Sequence, residues 1–163
     1  MERGTSAGGM AQWRAWVWLF PATYLVHITE ELMAGGGFPA WASRQTGLAL
    51  TASRFVLING VALAVMLIWS VLAWRRRSFL WLGVTLGVIV GINGVLHAVA
   101  SLATRSYSPG AVSGVVLWIP LGTLAVHVGW CLVRPKVFWT AVILGLVVQG
   151  LVVVVAATAT RGC

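Results

Sequence analysis

Five apolar runs, each of roughly 20 residues or more, take up most of this chain, and a helix needs about that length to cross some 30 Å of hydrocarbon. They cover approximately residues 13–34, 48–74, 79–104, 111–133 and 137–160. Lipid offers no hydrogen-bond partners to a polypeptide backbone, so a spanning segment satisfies its own, and such runs predict helices. The breaks fall between them: Gly35-Gly36-Gly37-Phe38-Pro39, Arg75-Arg76-Arg77-Ser78, Ser106-Tyr107-Ser108-Pro109-Gly110 and Arg134-Pro135-Lys136. The fold class expected is all-α, a polytopic bundle of five transmembrane helices forming one domain over residues 1–163. A soluble core of 163 residues has no room for a composition that is 60% hydrophobic and 9% charged. Neither an internal repeat nor a long linker is visible.

The formal charge of +8 does not describe a nucleic-acid surface, because the cations sit in the short connectors rather than along one face. Arg3, Arg14, Arg75, Arg76, Arg77, Arg134 and Lys136 fall on one side of a five-span topology; Arg44, Arg105 and Arg161 fall on the other. The positive-inside rule then places the N-terminus in the cytoplasm and the C-terminus outside. Trp13, Trp16, Trp18, Trp74, Trp81, Trp130 and Trp139 lie near the same boundary, as an aromatic belt does. The first run is too long for a cleaved signal peptide and lacks its small-residue cleavage pattern. Cys131 and Cys163 fall at opposite faces, so no disulfide within the chain is expected.

Carboxylates are scarce. Glu2 stands near the N-terminus, Glu30 and Glu31 stand side by side in the first apolar run, and there is no Asp. Ionisable groups at membrane depth are costly and point to function. Counting about 1.5 Å of rise per residue, His27, Glu30, Glu31, Arg54, Asn93 and His97 reach one layer in the outer half of the bilayer, with Tyr107 and Ser113 just beyond. His127 falls at the other end and is set aside. His27 is three residues from Glu30 and four from Glu31, so the three share a helical face with Tyr24 one turn below. Asn93 and His97 share a face of the third run. Gly83, Gly87, Gly91 and Gly94 on that run permit close helix packing, which is expected to deliver this face to the first helix. Of Arg54 and Asn59, Arg54 is the one expected to meet a carboxylate. The structural alternative for Glu30, Glu31 and Arg54 is that they snorkel to the interface.

The run His27-Ile28-Thr29-Glu30-Glu31, followed by Asn93-x-x-x-His97 in a later helix, resembles the bacterial family of small membrane proteins named for an HxxEE motif. The resemblance extends to length and helix pattern, and it implies a place in a bacterial cytoplasmic (inner) membrane. A looser similarity of architecture is to emopamil-binding, sterol-isomerase-type proteins, whose five-helix bundles surround a lipid-facing cavity with His, Glu and Asn.

Two adjacent carboxylates in a low dielectric do not both ionise, which leaves an acid beside a base. The expected catalytic set is His27, Glu30, Glu31, Asn93 and His97, with Arg54 as counter-ion and Tyr24 and Trp118 as aromatic neighbours able to stabilise a carbocation. This suits acid–base isomerisation or cyclisation of an isoprenoid- or sterol-like small molecule without a cofactor. The runner-up is an iron or zinc enzyme using His27, one of the two glutamates and His97, a two-histidine, one-carboxylate pattern. A proton-linked carrier or a structural subunit is the third reading, and a homo-oligomer stays open.

Overall fold

The structure is a computed structural model, and it describes residues 15–47 and 50–158. The expectations that fall on Arg3, Trp13, Arg14, Leu48, Arg161 and Cys163 lie outside these residues. Among the described residues there is no strand. The helices are α1 (Leu19–Met33), α2 (Phe38–Thr46), α3 (Ala52–Arg75), α4 (Trp81–Thr104), α5 (Ala111–Leu132) and α6 (Pro135–Thr158).

Among the described residues, four stretches are long and apolar enough to cross a membrane: Ala52–Arg75, Arg77–Thr104, Ala111–Leu132 and Pro135–Ala156. They correspond to the second to fifth of the expected runs. The first run begins before the described residues; within them Ala15 and Trp16 are helical, a turn follows at 17–18, and α1 has 15 residues, about 22 Å at the usual rise. Large apolar side chains cover the outside of the bundle, among them Leu57, Val61 and Ile68 on α3 and Ile143, Val147 and Leu151 on α6. Water would not tolerate so continuous an apolar surface, whereas lipid does. The chain is a multi-pass membrane protein.

Helix α4 is the centre of the bundle, with 56% of its most apolar stretch buried against 17–28% in the other three. Its glycines explain the position. A Cβ on Gly87 would lie 2.6 Å from the Ala125 Cβ, and one on Gly94 would lie 2.6 Å from the Gly114 carbonyl oxygen. On α5, a Cβ on Gly122 would lie 2.5 Å from the Gly87 carbonyl oxygen. The backbones of α4 and α5 therefore touch. The glycine ladder was expected to draw α4 towards α1; it draws it towards α5 instead, because α5 carries the matching glycines.

Three local features differ from the sequence expectation. The connector after the first run contains α2, which starts with Pro39 in its first turn, where a missing N–H costs nothing, and stops at Gly47 in the left-handed conformation. Helix α3 starts at Ala52 rather than near residue 48, capped by the Thr51 hydroxyl, which accepts a hydrogen bond from the Arg54 N–H at 3.3 Å. Within α5 the turn Gly114–Trp118 is wound as a π-helix. It comes just before Pro120, which has no N–H to return to the carbonyl four residues back.

Candidate functional site

Helix α1 turns one face inward, burying Phe20, Tyr24, His27 and Glu31 along a single stripe. His27 is 1% exposed and Glu31 5%. From α4 comes His97, also 5% exposed. The three meet: His97 Nε2 lies 3.2 Å and His27 Nε2 3.7 Å from the same oxygen, Glu31 Oε1. One ligand atom from each of the three lies within 4.8 Å of the others. The two imidazoles stand edge to face, with centroids 5.0 Å apart.

The other nitrogen of each ring is held by a serine from the start of α5 or the turn before it. His27 Nδ1 is 2.8 Å from Ser113 Oγ, and His97 Nδ1 is 3.1 Å from Ser108 Oγ. The His27–Ser113 hydrogen bond can run in either direction, and Ser113 Oγ also approaches the Gly110 carbonyl as a donor at 3.4 Å. His27 Nε2 lies on the Glu31 side of the ring. It is buried, with no hydrogen-bond partner among the described residues.

Aromatic rings and one glycine close the site. Trp118 stacks on His27 at 3.6 Å between centroids, and Tyr24 stacks on Trp118 at 5.6 Å. Phe38, at the start of α2, presents an edge to His97 at 5.4 Å. Gly110 has φ +97°, and a Cβ there would lie 2.8 Å from His27 Cε1, 2.9 Å from His97 Cε1 and 3.1 Å from Glu31 Cγ. Only glycine fits this position, for conformation and for space alike.

Glu30 faces the other way. Its carboxylate accepts hydrogen bonds from the N–H groups of Gly110 (3.1 Å), Val112 (2.9 Å) and Ser113 (2.7 Å), and from the Tyr107 hydroxyl. These N–H groups open α5 and have no carbonyls of their own helix to receive them, and the negative charge lies at the positive end of that helix. Burial and the adjacent Glu30 carboxylate push the Tyr107 phenol up to about 12.

The expected set thus divides. His27, Glu31 and His97 form the cluster, with Tyr24 and Trp118 in its wall. Asn93 is half-buried, and its side chain makes no hydrogen bond among the described residues. Arg54 lies exposed in the first turn of α3, whereas Asn59, passed over in its favour, is half-buried and accepts from the Tyr24 hydroxyl at 2.8 Å. Ser108, Gly110 and Phe38 escaped the sequence reading, although Ser108-Pro109-Gly110 is a turn signal between two spans. His127 is far from the cluster, on an apolar groove of about 870 Å³ that α4, α5 and α6 line. None of the cluster residues lines that groove.

The first four residues of the HxxEE run therefore have separable tasks: a buried imidazole and, three residues on, a carboxylate that binds a helix end. Over residues 18–125 the chain matches the family described as proteins of unknown function with an HXXEE motif. It belongs to the HXXEE family. No curated protein and no solved structure matches the chain. In this HXXEE protein the motif's second glutamate, Glu31, completes the buried cluster, and the matched segment contains each residue described above as touching it.

Proposed function

We propose that this HXXEE protein is a membrane-embedded metal-dependent enzyme, with His27, His97 and Glu31 as ligands to one zinc or iron ion. The observation that carries this reading is the buried His27 Nε2, without a hydrogen-bond partner among the described residues, which faces a carboxylate oxygen already approached by His97 Nε2. Three atoms able to act as ligands, converging where the dielectric is low, suit a shared cation between them. Zinc–nitrogen and zinc–oxygen bonds of about 2.0–2.2 Å put tetrahedral ligands about 3.3 Å apart; the two Glu31 edges, 3.2 and 3.7 Å, bracket that spacing, and all three ligand atoms lie within 4.8 Å of one another.

Ser108 and Ser113 on the two Nδ1 atoms supply what metal-binding histidines usually have, a hydrogen bond that fixes ring orientation and tautomer. Two histidines and one carboxylate leave coordination positions open, which favours a catalytic centre over a structural one. When bound, such an ion supplies Lewis acidity or an activated water. Around it, Trp118, Tyr24 and Phe38 exclude water and give an apolar wall suited to a hydrophobic small molecule of isoprenoid or sterol-like kind. The arginines at 75–77 and the basic turn 134–136 support a cytoplasmic position for the α3–α4 and α5–α6 connectors in a bacterial inner membrane, and a cytoplasmic N-terminus if the first run also crosses.

The 3.2 Å contact between His97 and Glu31 favours a second reading, a proton shared by that pair for acid–base catalysis without a metal. That reading leaves His27 Nε2 unmatched, and for this reason it ranks lower. Cobalt(II) titration of the detergent-solubilised protein separates the two. The metal reading expects one cobalt per chain with visible ligand-field bands, abolished in His27→Ala, His97→Ala and Glu31→Gln alike. Absence of a saturable band in the wild-type protein leaves the proton pair as the account of the site.

A further inference from the structure

The cluster is closed as it stands, with its three residues at most 5% exposed. What closes it on the α4–α5 side is a single short piece of chain, residues 106–113. That piece supplies Ser108 to His97 and Ser113 to His27, and lays Gly110 against both rings and Glu31. It begins after Arg105, a non-glycine residue in the left-handed conformation at φ 49°. Gly110, with φ +97°, gives it a second point of unusual backbone.

The same piece is fastened from outside by one residue of α1. Glu30 accepts from Tyr107, Gly110, Val112 and Ser113, so its two oxygens hold both ends of the segment. The fastening lies where water can compete for it: Tyr107 is 42% exposed and Glu30 is half-buried. Further contacts tie the start of the segment to α2 and α4. Trp41 Nε1 and Gln45 Nε2 on α2 reach Ser106 Oγ at 3.2 and 3.3 Å, Thr104 Oγ1 lies 2.9 Å from Ser106 Oγ, and the Ser108 N–H donates to Ser101 Oγ at 3.0 Å. Neighbouring glutamates of one motif thus act on opposite sides of one segment, Glu31 beneath it in the cluster and Glu30 above it at the surface.

We propose that residues 106–113 are a movable cover over the His27–Glu31–His97 centre, latched by Glu30 and Tyr107, and that release of this latch admits metal ion and hydrophobic substrate. The proposal rests on the metal reading for what is admitted, but not for the motion. Glu30 is a positioning residue here: it acts through the backbone of α5 and touches neither imidazole.

Two variants test it. Tyr107→Phe removes one hydroxyl and keeps the ring; Glu30→Gln replaces the charge that binds the three N–H groups. Zinc-loaded protein is mixed with excess chelator and the release rate is followed, and amide hydrogen exchange of residues 106–113 is measured separately on metal-free protein. The cover expects release faster by about tenfold or more in Glu30→Gln and by a few-fold in Tyr107→Phe, with exchange at 107–113 accelerated in the same order. Zinc stoichiometry and the cobalt spectrum stay as in wild type, which a general loss of structure would not allow. Equal release rates, or accelerated exchange with unchanged release, overturn the proposal. If the wild-type protein holds no metal, the function proposed above fails, and the hydrogen exchange decides the cover alone: acceleration in both variants supports it, and unchanged exchange refutes it. Tyr107→Phe carries the test if Glu30→Gln does not fold.

Discussion

Glu30 and Glu31 are neighbours in sequence and have opposite surroundings, because one residue step on a helix turns a side chain by about 100°. Glu31 continues the buried stripe Phe20–Tyr24–His27. Glu30 is rotated off it and meets the start of α5. The pairing of two carboxylates with His27 was legible in the sequence, and so was their common helical face. Their division of labour was not, since it depends on where the first turn of another helix comes to rest. For Tyr107, both burial and the Glu30 charge favour the neutral phenol. Its raised value therefore means that the hydroxyl donates to Glu30 throughout the ordinary range, and that this contribution is lost as pH rises through about 12. In a Tyr24→Phe background, the phenolate absorbance should show its midpoint near 12 and move down towards 10 on Glu30→Gln. A midpoint that ignores Glu30 would deny the contact. Gly110→Ala combines an unfavourable backbone conformation with a Cβ driven into both imidazoles, at a cost of roughly 1–3 kcal/mol. Chemical denaturation should show that loss together with weakened cobalt binding.

At the scale of elements, the join between α4 and α5 sets the site. Close approach at Gly94–Gly114 and Gly87–Gly122 brings the α4–α5 turn down upon His97. Adding a methyl at Gly94 or Gly122 meets backbone, which cannot rotate away. Gly94→Ala and Gly122→Ala should each destabilise by roughly 1–3 kcal/mol and weaken cobalt binding, though neither residue touches the cluster. A methyl at Gly60 or Gly150 would meet nothing within 4 Å, so Gly60→Ala and Gly150→Ala should leave thermal stability unchanged or slightly raised. Equal losses at all four would remove the packing explanation. The glycine spacing on α4 was readable, but its partner was not, because spacing names a face and never the helix that fills it. Helix α2 was hidden for another reason: at nine residues it is too short and too polar to stand out from a connector.

For the whole molecule, membrane character was the plainest thing in the sequence, since four of the five apolar runs became helices long enough to span. Within the described residues the first run gives helical residues at 15–16 and then α1, which ends where Gly35, Gly36 and Gly37 all take positive φ. Orientation can be read with single cysteines in a chain whose Cys131 and Cys163 are replaced by serine. Ser78→Cys should be labelled from the cytoplasm and Arg105→Cys from the opposite side, because α4 lies between them. Labelling of both from one side would contradict a spanning α4.

The centre itself is most directly tested by elemental analysis of the protein purified from its own membrane with neither chelator nor added metal. The expected result is about one zinc or iron per chain, absent from a parallel preparation of Glu31→Gln. Folded protein with no bound transition metal would contradict a metal centre at His27, Glu31 and His97.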